Sequence, residues 1–188
     1  MKRVLIFLVI AIVLVFSHRE TYAMQIIPPT NNPAITAFSF TTPEEFSVRY
    51  NQAVEACKGE DWMYVGEPTW ETGECSVNND PQFRYHVRIY MATDSEGYIK
   101  WITFTPPVHY SVCTDEHRIA MGKVIGCALH ALMPNSTRIG IGANIMAHFT
   151  LNSGMTQRYD TNNLMAVKRL YADTILCIDI LHLGPTEE

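Results

Sequence analysis

The chain has 188 residues, of which 47% are hydrophobic and 18% charged, and its formal net charge is −5. An acidic balance disfavours binding to nucleic acid or anionic membranes, because the long-range electrostatic energy has the wrong sign. The length suits one domain with a sizeable core.

The N-terminal segment predicts export. Lys2 and Arg3 precede an unbroken apolar run over residues 4–16, and the small residues Thr21 and Ala23 occupy the positions that a signal peptidase reads. The run is shorter than the roughly 20 residues that span a bilayer, so a cleaved signal is favoured over an uncleaved anchor. No cysteine follows the predicted cleavage site, which disfavours a lipoprotein, and we expect a periplasmic or secreted product with no membrane contact after cleavage.

Four segments are predicted along the chain. Residues 1–23 form the signal peptide, residues 24–41 an extended lead-in, residues 42–183 a single α+β domain and residues 184–188 a tail. The lead-in is rich in proline, with Pro28, Pro29 and Pro33, and Phe38 and Phe40 are its expected contacts with the core.

The first helix has a clear start. Thr42 is a capping residue, Pro43 fits the first helical position, and Glu45 completes a capping box. Apolar residues then follow at helical spacing to Cys57, so this helix packs one face on the rest of the domain.

An antiparallel meander is predicted next, from residues 62–65, 83–91 and 98–104, with the turn Asp94-Ser-Glu-Gly97 before the last strand. In residues 83–91, one set of side chains is apolar and the alternate set is polar, namely Arg84, His86 and Arg88. This alternation predicts a sheet with one buried face.

Two further helices should cover that face. The first runs from Thr114 or Asp115 to Met133, and the second from about residue 137 to 152, weakened by Gly140 and Gly142. The β-rich run 174–182 predicts a final hairpin that turns near Ala172. The fold class is therefore α+β, with an N-terminal helix, a β-meander, two helices on one sheet face and a C-terminal hairpin.

The stretch HYSVCTDEH places Cys113 four residues from His109 and from His117. A metal site is not predicted, because the chain has no Cys-x-x-Cys or His-x-x-x-His pair. A thiol just before a helix with a histidine nearby could instead be a nucleophile. If the protein is an enzyme, Cys113 with His117 or His109 is its predicted catalytic group.

Disulfides are the alternative use of the thiols in an exported protein. The candidates are Cys57, Cys75, Cys113, Cys127 and Cys177, an odd number. A helix between Cys113 and Cys127 would separate them by about 20 Å, beyond the reach of a disulfide. The expected bridges are therefore Cys57–Cys75, and Cys177 with either Cys113 or Cys127.

The leading functional prediction is an exported, non-catalytic binding domain without a cofactor. Its partner would be another protein or a small extracytoplasmic ligand, and no nucleic acid. One candidate surface is the acidic stretch with Glu67, Glu71 and Glu74; the other is the polar sheet face with Arg84, His86 and Arg88. The alternatives are a periplasmic immunity protein or inhibitor of a toxin or enzyme, and a small cysteine hydrolase that uses Cys113.

Three landmarks carry a resemblance. They are Thr42-Pro-Glu-Glu-Phe46 followed by Tyr50-Asn51, the turn Asp94-Ser-Glu-Gly97 followed by Ile99 and Ile102, and the helix end Leu132-Met-Pro134-Asn135. In this order the chain resembles small exported bacterial proteins of uncharacterised function, many of them lipoproteins. The resemblance implies an α+β domain outside the cytoplasm and no catalytic residues. The chain departs from these proteins by lacking the lipoprotein cysteine and by having several internal cysteines.

Overall fold

The computed structural model describes residues 35–38, 41–57, 63–71, 74–78, 86–106, 108–134, 140–149, 156–161, 163–172 and 174–184. The strands are β1 (Ile35–Thr36), β2 (Thr69–Glu71), β3 (Glu74–Asn78), β4 (Arg88–Thr93), β5 (Ile99–Thr105), β6 (Gln157–Thr161), β7 (Leu164–Tyr171) and β8 (Ile175–Leu183). The α-helices are α1 (Pro43–Ala56), α2 (Asp115–Leu132) and α3 (Ile141–His148). The predicted signal peptide lies outside the described residues, and no described helix is both long and apolar enough to cross a membrane.

The strands form one antiparallel sheet in the order β2-β3-β4-β5-β8-β7-β6, with β1 beside β8. The predicted α+β class is confirmed, including the N-terminal helix and the C-terminal hairpin. That hairpin turns at Ala172, which has a positive φ of 47°. In the β4–β5 turn, Gly97 has a φ of 89° and the Asp94 carboxylate accepts hydrogen bonds from the backbone of Glu96 and Tyr98.

Helix α1 starts as predicted. The Thr42 hydroxyl accepts from the Glu45 amide at 3.3 Å, and the Glu45 carboxylate accepts from the Thr42 amide at 3.2 Å. Helix α2 is fully formed and largely buried, whereas α3 is half the predicted length. All three helices contribute to a single core with the same face of the sheet.

The lead-in takes part in the fold. Phe38 is fully buried, as predicted, and its amide donates to the Ile99 carbonyl. Phe40 lies outside the described residues. Strand β1 was not predicted, and it pairs with the end of β8 through Ile35↔Leu183 and Thr36↔His182.

The expectation of a single buried face is only partly right. On the face opposite the helices, Tyr90, Thr103, Cys177 and Asp179 are also buried. These residues lie on the inner strands, where larger side chains such as Trp101 pack over them. The face is therefore shielded by its own side chains at its centre.

Candidate functional site

The acidic stretch forms a hairpin at one edge of the sheet, from β2 and β3. The register pairs Thr69 with Ser76, Trp70 with Cys75 and Glu71 with Glu74. Strand β2 is the outermost described strand at this edge, so one side of its backbone has no ladder partner among the described residues.

Trp70 is the prominent feature of this hairpin, and the sequence reasoning did not single it out. Its side chain is 55% exposed, although it lies directly across from Cys75, which is fully buried. Paired residues share a sheet face, so Trp70 lies on the face that the helices cover. Its exposure shows that the helices do not extend over it. A tryptophan in an acidic, polar stretch is the sequence signal that could have identified it.

Helix α1 anchors the base of the hairpin. The Asn51 side chain donates to the Val65 carbonyl and accepts from the Val65 amide, both at 2.9 Å. The Gly66 amide then donates to the Asn78 carbonyl of β3. These bonds fix the segment that leads to Glu67, which is exposed.

A buried ion pair lies at the centre of the polar sheet face. Arg169 contacts Asp179 in a bidentate manner, and the Thr103 hydroxyl donates to Asp179 Oδ1 at 2.7 Å. Asp179 is 1% exposed, and burial raises the pKa of its carboxyl, although the hydrogen bonds of Arg169 and Thr103 lower it. This cluster is built to stabilise the sheet rather than to receive a charged ligand.

Two of the three predicted binding residues on that face, His86 and Arg88, are among the described residues. Arg88 donates to Asn78 at 3.0 Å and to the Tyr90 hydroxyl at 2.9 Å. His86 is half-buried, and burial, with Arg88 nearby, lowers its pKa. Arg84 lies outside the described residues, as do the side chains of Glu71 and Glu74.

The two histidines around Cys113 accept hydrogen bonds from nearby backbone amides. His109 Nδ1 lies 2.7 Å from the Ser111 hydroxyl and accepts from the Ser111 amide, and His117 Nδ1 accepts from the Thr114 amide at 3.1 Å. The Cys113 thiol itself makes a 4.0 Å contact with the His109 carbonyl oxygen.

Lys168, which is fully buried, is the charged group that acts on Cys113. Burial raises the pKa of the Cys113 thiol and Lys168 opposes this rise only in part. The thiol is therefore held in its neutral form, which is not the nucleophilic form.

All five cysteines are free thiols in the structure, and their positions do not favour the predicted bridges. Cys75 lies near Glu44, at the start of α1. Cys57 is 13 residues further along this helix, a separation of about 20 Å. Cys177 lies on the sheet face away from the helices, whereas Cys113 and Cys127 belong to the helix-side core.

No metal-binding group of three or more His, Cys, Asp or Glu side chains occurs among the described residues. A scan of the chain against protein-family models found no match, and comparisons with curated proteins and with solved structures found none either.

Proposed function

We propose that the protein is an exported, non-catalytic binding domain that presents the β2–β3 hairpin to a basic surface of another protein. The observation that carries the proposal is the exposure of Trp70 on an edge strand. Tryptophan is among the residues that contribute most to the free energy of protein–protein binding. An unpaired strand edge also offers backbone hydrogen bonds to an added strand.

Charge indicates the nature of the partner. The exposed Glu67 precedes β2, and the sequence of this stretch contains two further acidic residues, Glu71 and Glu74. A basic partner surface would complement this negative charge. The same charges disfavour pairing between two copies of this chain.

Capture from the extracytoplasmic fraction of the producing cells tests the proposal. We expect the immobilised wild-type protein to retain a basic protein that is released by salt. Trp70→Ala should reduce the retained amount at least tenfold. Ile119→Ala is the matched control, because Ile119 is equally exposed, at 56%, but lies on α2.

Three outcomes contradict the proposal: no retained protein, retention that survives Trp70→Ala, or retention that is lost with Ile119→Ala. Analytical sedimentation of the purified protein measures its oligomeric state and so tests for self-association. A dimer that dissociates with Trp70→Ala would mean that the hairpin binds a second copy instead.

The two alternative functions stay predictions. An immunity protein or inhibitor would use the same hairpin, and a captured toxin would support it. The cysteine hydrolase has weaker support because Cys113 is buried and its pKa is raised. Fast alkylation of Cys113 at neutral pH in the native protein would favour the hydrolase over the binding domain.

A further inference from the structure

Small residues line the contact between α1 and α2. Ala53 and Ala56 of α1 and His130 and Ala131 of α2 border the same shallow groove. Alanines at a helix–helix contact let the two backbones approach closely. Side chains one helical turn from these positions are therefore also brought together across the contact.

Two cysteines occupy such positions. Cys57 caps the C-terminal end of α1 and is exposed, and Cys127 lies on α2 and is fully buried. The two thiols lie close enough to interact, since burial and then the neighbouring Cys57 thiol raise the pKa of Cys127. Burial and the nearby Cys127 raise the pKa of Tyr50, which lies two turns before Cys57 on α1. Tyr50 and Cys57 therefore both lie near Cys127.

We propose that Cys57 and Cys127 form a disulfide between α1 and α2 when the protein meets a disulfide-containing thiol oxidant outside the cytoplasm. In the first step the oxidant's disulfide is attacked by the exposed Cys57, which gives a mixed disulfide and one free thiol of the oxidant. Cys127 then loses its proton to the leaving thiolate as it attacks the Cys57 sulfur, which releases the second thiol of the oxidant. Two S–H bonds are lost, one S–S bond forms, and the two electrons reduce the oxidant.

The pairing leaves three thiols: Cys75, Cys113 and Cys177. Each is buried, and Cys177 is separated from the other two by the sheet. After the bridge forms, none of the remaining unpaired cysteines is exposed. The bridge would also secure α1, whose Asn51 holds the base of the β2–β3 hairpin.

Peptide mapping tests the bridge directly. Trypsin places every cysteine in a different peptide, with Cys57 in residues 50–58 and Cys127 in residues 124–138. The purified full chain is equilibrated in a mixture of oxidised and reduced glutathione, denatured and alkylated without reductant. We expect the 50–58 and 124–138 peptides to be linked and Cys75, Cys113 and Cys177 to be alkylated.

Thermal unfolding gives a second readout. A disulfide that closes a loop of about 70 residues raises the Tm by on the order of 10 °C, so dithiothreitol should lower the Tm of the oxidised wild type by that amount. Cys57→Ser should abolish the response, and its fold is preserved because Cys57 is exposed. Cys113→Ala is the control and should keep the response.

Five alkylated cysteines after oxidation, or a linked pair other than Cys57 with Cys127, would overturn the proposal. So would a Tm that is the same with and without reductant. Neither assay involves the hairpin or its partner, so failure here is separate from failure of the proposed binding function.

Discussion

Arg169 and Asp179 form an ion pair in which Asp179 is almost fully buried. Removing one member of a buried pair leaves the other charge uncompensated, which destabilises a protein by about 3–5 kcal/mol. We therefore expect Asp179→Asn to lower the free energy of unfolding by about 3 kcal/mol, measured by urea denaturation.

The matched control is Asp160→Asn. Asp160 pairs with Arg158 at 2.8 Å, but both side chains are more than half exposed, and such pairs contribute little. We expect no measurable change. Equal effects of the two substitutions would show that burial does not govern the strength of the Asp179 contact.

Among individual residues, the sequence indicated the acidic candidates of the hairpin but not Trp70. The charge of Glu67, Glu71 and Glu74 can be read from composition, whereas the exposure of Trp70 depends on where the helix layer ends. Likewise, the spacing of His109, Cys113 and His117 suggested chemistry, but their roles depend on which backbone amides lie within reach. The exposure of Trp70 and the hydrogen bonds of the two histidines both depend on tertiary structure, which local sequence patterns do not determine.

The packing of α2 against α3 depends on Gly142. A Cβ atom at this position would lie 1.9 Å from the Gly122 carbonyl oxygen and 2.5 Å from the Gly126 amide nitrogen. Because backbone atoms cannot yield as a side-chain end can, we expect Gly142→Ala to destabilise the protein by at least about 3 kcal/mol.

Gly140→Ala is the control for that substitution, since a Cβ atom added at Gly140 would have no other atom within 4 Å. Reducing the freedom of the unfolded chain should leave its stability unchanged or raise it by up to about 1 kcal/mol. A similar urea midpoint for both variants would contradict the proposed close contact of the helices.

Strand β1 should loosen as the pH falls. The Thr36 hydroxyl lies 2.8 Å from His182 Nδ1, and burial lowers the pKa of His182. Below pH 6.5 the unfolded state therefore binds more protons than the folded state, and the stability that the neutral ring provides is lost as the pH falls through the folded pKa.

Hydrogen exchange measures this effect. We expect the amides of Ile35 and Thr36 to exchange faster, relative to the intrinsic rate, at pH 5 than at pH 7. His182→Phe should remove the difference between the two pH values. An unchanged difference in that variant would assign the pH response to another group.

Elements with local signals were predicted well. The capping box at Thr42 and Glu45 set the start of α1 to the residue, and Asp94 and Gly97 identified a turn. Strands β2, β3 and β6 were missed because they are short and lack a clear apolar alternation, and the strand predicted over residues 62–65 is not formed by the described residues 63–65. Strand β1 has two residues, and its place is set by β8, which is far away in the sequence.

The whole molecule should lose stability in alkaline solution when its thiols are reduced. Burial raises the pKa of Cys75, Cys127 and Cys177 from 9.0 to about 12. The folded state therefore keeps protons that the unfolded state releases above pH 9, and stability falls as the pH rises from 9 to 12. Each thiol adds a slope of up to about 1.4 kcal/mol per pH unit.

Urea midpoints at pH 8, 9 and 10 measure this slope. Lys168 acts in the opposite direction, because burial lowers its pKa, but it is one group against four thiols, since burial also raises the pKa of Cys113. Oxidised protein with the proposed Cys57–Cys127 bridge should show a shallower slope than reduced protein, because Cys127 no longer ionises. A midpoint that does not fall above pH 9 would contradict the burial of these thiols.

Strand β8 pairs with β1, β5 and β7. In the β5–β8 ladder Trp101 lies opposite Leu181, 80 positions further along the chain. Contacts this distant in sequence slow folding, since a long loop must close before they form. During synthesis β5 and β7 are not joined in one sheet until β8, which lies between them, has left the ribosome. The growing chain therefore keeps an incomplete sheet, and the proposed export would require such an incompletely folded state.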